Sequence, residues 1–217
     1  MTQKNDKVST PQRILDSAEA LFADNGYDGV SLRMITKQAG VELALPNYHF
    51  GSKLELFRHV IQRRSLILND ERIKALKSLS DTAEIHDLIE AFIGPFLRRS
   101  LFGGEGWRNY ARVIAQIANS PRWTSEIMSA EFDPVAIEFV RRVRLIFPDA
   151  KAEDIYWSFH FLLGAMTMTF AQTGRIDLLS DNICHGSDLS AIHLRMVPFL
   201  SAGFSKLCAG SVSRRKV

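Results

Sequence analysis

The segment whose reading decides the fold runs from Ser31 to Lys53, SLRMITKQAGVELALPNYHFGSK. Ser31 stands before Leu32, Ile35 and Ala39, an apolar row at helical spacing, and its hydroxyl can cap that helix. Gly40 stops the row, because glycine tolerates the sharp reversal that Ala39-Gly40-Val41 must make. Val41 is placed to plug the angle between this helix and the next, a short one over about Leu43 to His49. Ser52-Lys53-Leu54-Glu55 is a capping box that opens a long helix towards Leu79. Two short helices joined by a tight turn, with a third element on either side, make a helix-turn-helix. Its second helix is held away from the core and can enter a major groove.

Upstream, Thr10-Pro11 reads as a cap followed by a proline in the first turn. Ile14, Leu15, Ala18, Leu21 and Phe22 then recur at helical spacing until Asn25-Gly26. Downstream, helical periodicity continues over 84–101, 107–119, 122–147 with breaks, 151–173 and 189–207. The breakers are Gly103-Gly104-Glu105-Gly106, Pro121, Asp133-Pro134, Pro148 and Gly186-Ser187-Asp188, while Pro95 and Pro198 predict kinks inside helices. No segment alternates with period two and nothing repeats. The fold class is therefore all-α. Its organisation is a mobile tail over 1–9, a helix-turn-helix domain suited to DNA over 10–56, a larger helical domain over 57–208, to which the resemblance drawn below gives effector binding and dimerisation, and a basic tail over 209–217.

Charge supports the same division. Residues 1–30 hold Lys4, Lys7 and Arg13 against five carboxylates, whereas residues 31–64 hold Arg33, Lys37, Lys53, Arg58, Arg63 and Arg64 against only Glu42 and Glu55. A local positive block is what phosphate neutralisation requires, although an overall charge of +3 is too small to indicate nucleic acid by itself. Residues 155–174 carry no Asp, Glu, Lys or Arg, but Ser158, His160, Thr167, Thr169 and Gln172 make them a poor membrane span and a better buried helix. With no apolar leader stretch at the start, a cytoplasmic location is expected. Cys184 and Cys208 fit no metal or redox spacing and are expected to be reduced, packed thiols.

Together the residues from Thr10 to about Phe57 resemble the tetracycline-repressor-like (TetR) regulators. The resemblance is carried by the first-helix pattern, Gly26-Tyr27, Ser31, Ala39-Gly40-Val41, Asn47-Tyr48-His49-Phe50 and Ser52-Lys53, which fall in register with members reading A-G-V-N-x-A-x-x-N-Y-H-F-G-S-K. The resemblance implies that Leu43 and Ala44 face base edges, where apolar side chains can touch thymine methyls but cannot hydrogen-bond. Ser31, at a helix N-terminus, can bind a phosphate, and Arg33 in the same turn can reach the backbone. Asn47 can pair with adenine or phosphate. Tyr48 and His49 offer phosphate contacts, with partial core packing and helix capping as their respective alternatives, and Lys53 lies at the next helix's N-terminus. Phe50 reads as core. Two residues depart from the family pattern. Glu42 stands where Asn, Ser or Thr normally caps the recognition helix. Pro46 removes an N–H about one turn in, so that helix is expected to start late or to be distorted.

The resemblance also implies a small-molecule effector held among the middle helices and a homodimer made by the last two long helices, here 151–173 and 189–207. Gly164, Thr167 and Ala171 form a small-residue strip suited to close helix approach. Phe92, Phe96, Phe102, Trp107, Tyr110 and His160 are the candidate pocket residues, with ordinary core packing as the alternative. The stretch WRNYARVIAQIANSP, residues 107–121, resembles fatty-acid-metabolism regulators of the same family, which implies an acyl-type effector. A helical interaction module without DNA binding is the competing reading. An enzyme is disfavoured, because the sequence has no nucleophile elbow, no H-E-x-x-H, no dinucleotide fingerprint, and a Gly103–Gly106 loop lacking the Lys-Ser/Thr of a phosphate loop. No catalytic residue, metal or cofactor is expected.

Overall fold

Capping chemistry sets the helix boundaries of the first domain. In the computed structural model, which describes residues 8–209, α1 spans Thr10–Asn25 and is capped by Ser9, whose side chain accepts the Gln12 N–H; Pro11 sits in its first turn. The cap is thus one residue earlier than Thr10. Helix α2, Leu32–Ala39, is capped by Ser31, which accepts the Met34 N–H, and stops at Gly40 in the left-handed conformation (φ 61°, ψ 44°). Helix α3 is short, Leu45–Phe50, and α4 runs from Lys53 to Ser78 behind the Ser52 cap.

The late start of α3 follows from Glu42 and Pro46. Residues Glu42 to Leu45 form a turn closed by Leu45 N–H to the Glu42 carbonyl, and the cap position falls on Ala44, whose side chain bonds nothing. Pro46 therefore occupies the first turn, where its missing N–H costs no helix bond, and its ring is buried. The recognition helix is shortened but not broken.

The second domain comprises α5 (Ile85–Phe102), α6 (Glu105–Ala118), α7 (Pro121–Trp123), a π-turn (Thr124–Met128), α8 (Ser129–Ile146), α9 (Ala152–Ala171), α10 (Arg175–Leu179) and α11 (Leu189–Cys208). Pro134, read above as a breaker, lies inside α8, which packs against α4, α5 and α9. Pro95 and Pro198 lie inside α5 and α11 as expected. No strand occurs among the described residues, and no helix there is long and apolar enough to cross a membrane.

Helix α5 is the axis of the core, packed on α4, α8 and α11. Phe92 meets Phe139 and Phe159, Phe139 meets Phe204, and Phe96 lies 4.1 Å from Phe170, centroid to centroid. Cys208 is buried, but Cys184 is exposed rather than packed.

Candidate nucleic-acid interface

The helix-turn-helix is bolted from two sides. From α1, Arg13 donates one nitrogen to the carbonyls of both Ala39 and Gly40, while the Val41 N–H donates to the Thr36 carbonyl. These bonds fix the angle between α2 and α3. From α4, the Lys53 ammonium donates to the Tyr27 carbonyl (2.7 Å) and the Val30 carbonyl (2.6 Å) and lies 4.2 Å from the Tyr27 ring centroid. Lys53 was expected to face DNA. Its charge is instead spent on the loop between α1 and α2, because two carbonyls and an aromatic face solvate an ammonium well.

The other candidates share an exposed surface. Ser31, Arg33, Leu43, Ala44, Asn47, Tyr48 and His49 are all exposed, Leu43 at 59% and Tyr48 at 81%. Such exposure leaves Tyr48 free of the core, and its ring stacks edge-on with His49. Phe50 packs against the core and the ring of His59. The surface thus offers an amide, a phenol and an imidazole on α3, one guanidinium on α2, and apolar Leu43 at the approach to α3. Glu42 is exposed beside them.

The positive block does not survive folding intact. Arg63 binds Asp16 (2.7 Å) and Glu19 (2.8 Å), Arg64 binds Glu19 (2.5 Å), and Arg58 binds Glu55 (2.7 Å). Carboxylates of residues 1–30 fold back onto cations of residues 31–64. Among the described residues, Arg33 and Lys37 alone of that block's Lys and Arg have neither an ion pair nor a carbonyl partner. Lys4 and Lys7 lie outside the described residues.

Behind this face, α1 and α4 rest on the second domain. Glu19, almost wholly buried, holds Arg63 and Arg64, and Arg64 lies 5.1 Å from the Trp107 ring. Gln116 donates to the Ala23 carbonyl, Arg112 pairs with Asp24 and Arg122 with Asp28. Tyr27 and Phe57 pack on Trp123. Neither Glu19 nor Trp123 was singled out from the sequence, and Arg64 was counted only as one cation of the basic block. The one available signal was Glu19 itself, an acid lying beside Ala18 and Phe22 on an otherwise apolar helix face.

Residues 14–60 match the family of bacterial regulatory proteins designated tetR, and residues 90–203 match the tetracyclin repressor-like C-terminal domain. The second match alone covers more than half of the chain. The chain belongs to the TetR family. It is 42% identical over 55 residues to the probable HTH-type transcriptional regulator YttP of Bacillus subtilis, covering 25% of this chain and 27% of that protein. It is 29% identical over 109 residues to IcaR of Staphylococcus aureus, the negative transcriptional regulator of the biofilm operon icaADBC, covering 50% and 54%. The chain thus spans at most about half the length of these curated relatives. The structure of Bacillus subtilis FadR in complex with stearoyl-CoA superposes with a TM-score of 0.60 at 17% identity, covering 88% of this chain and 97% of that one. At that identity the likeness concerns the fold.

In this TetR regulator the expected effector residues separate into two groups. Phe92, Phe96, Trp107 and Tyr110 are buried together in the second domain, where Tyr110 meets both Phe96 and Trp107. Phe102 and His160 are not with them. Phe102 is 81% exposed at the end of α5, where it lines an open groove with Glu71, Lys74, Pro95, Arg98 and Arg99. His160, expected to be buried among aromatics, lies on the outer face of α9 beside Trp157 and Phe161. A residue not foreseen joins the buried group. Arg72, 4% exposed on α4, donates its Nε–H to the Phe92 carbonyl and lies over the Phe92 and Phe96 rings. Burial lowers its pKa to about 10, so it stays charged at neutral pH. Burial likewise pushes the Tyr110 phenol well above its ordinary value, leaving it neutral. Among the described residues, no cluster of three or more His, Cys, Asp or Glu side chains is arranged to hold a metal.

Family members are transcriptional regulators, and the second domain of this one exposes a conspicuous apolar surface. Tyr156, Trp157, Phe161, Leu163 and Met168 on α9 and Leu194 and Phe199 on α11 are all exposed, and a Cβ built on Gly164 or Gly203 would have open space around it.

Proposed function

We propose that this TetR-family protein is a cytoplasmic, dimeric repressor that binds a palindromic operator and is released by a small hydrophobic effector of the acyl type. The exposed row Ser31, Arg33, Leu43, Ala44, Asn47, Tyr48 and His49 supports the DNA-binding part. Ser31 and Arg33 meet phosphate at the N-terminus of α2. Leu43 and Ala44 lie against thymine methyls, Asn47 reads adenine or phosphate, and Tyr48 and His49 hold the backbone. Lys53 contributes by holding the loop between α1 and α2 rather than by touching DNA.

Two recognition helices must sit about 34–36 Å apart to read successive turns of one DNA face. The exposed aromatic and aliphatic side chains of α9 and α11 support a two-fold four-helix contact between copies, because large apolar side chains grouped on two helices mark an interaction surface. The buried aromatic cluster of Phe92, Phe96, Trp107 and Tyr110, touching helices that also carry α1, supports an effector site that shifts the DNA-binding domains. FadR's complex with stearoyl-CoA supports the acyl class.

The reading is tested by electrophoretic mobility shift with the DNA upstream of the protein's own coding sequence. The expected result is a dimer-sized shift abolished in a Tyr48→Ala, Arg33→Ala double variant that keeps its melting temperature. A wild type that binds no fragment better than random DNA at moderate salt would overturn it.

A further inference from the structure

Arg72 is a buried cation without an anion. Its contacts are the Phe92 carbonyl, 2.8 Å from Nε, and the faces of Phe92 and Phe96, 4.5 and 5.5 Å from its guanidinium carbon. Among the described residues no carboxylate lies within ion-pair distance of it. The acids nearby are already engaged: Glu71 holds Arg99, and Glu131 accepts from Ser65. A guanidinium has five N–H donors, and an unpaired charge in an apolar interior is strongly disfavoured unless a partner arrives.

Further orphans stand close by. The Tyr110 and Ser100 hydroxyls and Asn69 Oδ1 are buried without any hydrogen-bond partner. Phe96 locates two of them relative to Arg72: Tyr110 meets its ring edge-on with centroids 5.8 Å apart, and Ser100 lies one turn further along α5. Arg72, with only its Nε–H donated, and two hydroxyls without a partner thus stand on the packed helices α4, α5 and α6 about Phe96. The surrounding walls are Phe92, Phe139, Phe159 and Phe170. Pro95 lacks the N–H of one α5 rung between Phe92 and Phe96, so α5 is least rigid beside the cluster.

We infer that this cluster is an anion site, and that the effector is an amphipathic carboxylate whose head binds Arg72, Tyr110 and Ser100 while its tail lies among the phenylalanines. Arg72 supplies a two-pronged ion pair and the hydroxyls supply charge-assisted hydrogen bonds. The inference rests on the effector reading above and names its chemistry: a free carboxylate, rather than a neutral tail or a coenzyme A thioester.

The test compares decanoate, decanol and decanoyl-CoA on the full chain by calorimetric titration and thermal melting. Decanoate is expected to bind and to raise the melting temperature, while decanol at equal free concentration does neither. Arg72→Met should weaken decanoate at least tenfold without lowering the melting temperature of the free protein, since a buried unpaired charge is replaced by an apolar chain of similar length. Arg72→Lys should keep part of the affinity, and Tyr110→Phe should lose severalfold. The inference is overturned if Arg72→Met binds decanoate like wild type, if decanol matches decanoate, or if decanoate does not bind. Operator release separates the two readings. Release by decanoyl-CoA or decanol but not decanoate preserves the effector reading and sinks the anion site. Binding of decanoate through Arg72 with no change in operator affinity preserves the anion site and sinks the effector reading.

Discussion

Tyr27, in the loop that follows α1, meets the indole of Trp123 edge to face with ring centroids 4.9 Å apart. This pair and Phe57 form one aromatic joint between the DNA-binding domain and the α7–π-turn segment of the second domain. Trp123 is buried, and truncating it to alanine is expected to cost about 3–5 kcal/mol, read as a lower melting temperature. Trp123→Leu fills part of the space. It should leave operator affinity within about threefold of wild type, since a loss of roughly 0.6 kcal/mol gives that factor, while blunting effector-driven release. Full release in that variant would show that the signal travels elsewhere.

Arg33 and Lys53 are expected to behave oppositely, although both are basic residues of the same motif. Arg33→Ala should weaken binding to every DNA sequence and lower the salt slope by about one unit per protomer, because a phosphate contact carries no base information. Lys53→Met should leave the salt slope unchanged and lower thermal stability by about 1–3 kcal/mol, since the Val30 carbonyl loses the ammonium and the Tyr27 carbonyl keeps only the long bond from the Val30 N–H. A salt slope that falls equally in both variants would put the Lys53 ammonium on DNA.

Pro46 lies in the first turn of α3, so replacing it restores no helix hydrogen bond. Pro46→Val frees the unfolded chain without a compensating contact, and is expected to cost about 0.4–1 kcal/mol. Chemical denaturation checks this. A midpoint that rises with unchanged slope would mean that the ring is strained where it sits.

Gly164 separates packing within one chain from packing between copies. Nothing lies within 4 Å of a Cβ built there, on the exposed side of α9, so Gly164→Leu should leave the melting behaviour of the single chain intact. In a dimer built on α9 and α11 the same change overpacks the contact by about 1–3 kcal/mol. Sedimentation should show wild type as a dimer at micromolar concentration and the variant dissociating more readily, with weaker operator binding. A monomeric wild type that still protects a palindrome would remove the basis for the spacing argument.

Elements written in local chemistry were legible in the sequence. Ser31, Ser52 and Gly40 act on groups two to four residues away, and their helix ends fall where those residues predict. Contacts across long stretches of chain were not legible. Lys53 binds carbonyls 23 and 26 residues earlier, and Arg64 binds an acid 45 residues earlier, so a tally of charge along the chain misjudged what reaches the surface. His160 failed for another reason. Helix α9 is apolar nearly all round, so its periodicity has no polar face to mark the outside. Pro134 shows tertiary packing overriding a local rule, since α8 runs through it against three neighbours. The buried Arg72 gave no sequence signal, because one arginine among the four on α4 looks like any solvated one.

The internal pairing of Arg58, Arg63 and Arg64 has a consequence for how this protein finds its site. If the proposed dimer docks through the described cations of residues 31–64 that remain unpaired, Arg33 and Lys37, it displaces about four counterions, which predicts a slope near −4 in log K against log salt. That is well below the slope of a repressor making ten phosphate contacts. Random duplex would hold such a protein only weakly, so it would spend most of its search in free solution instead of sliding. Occupancy would then depend on the fit of Leu43, Ala44 and Asn47 to bases, and far less on the ionic strength around it.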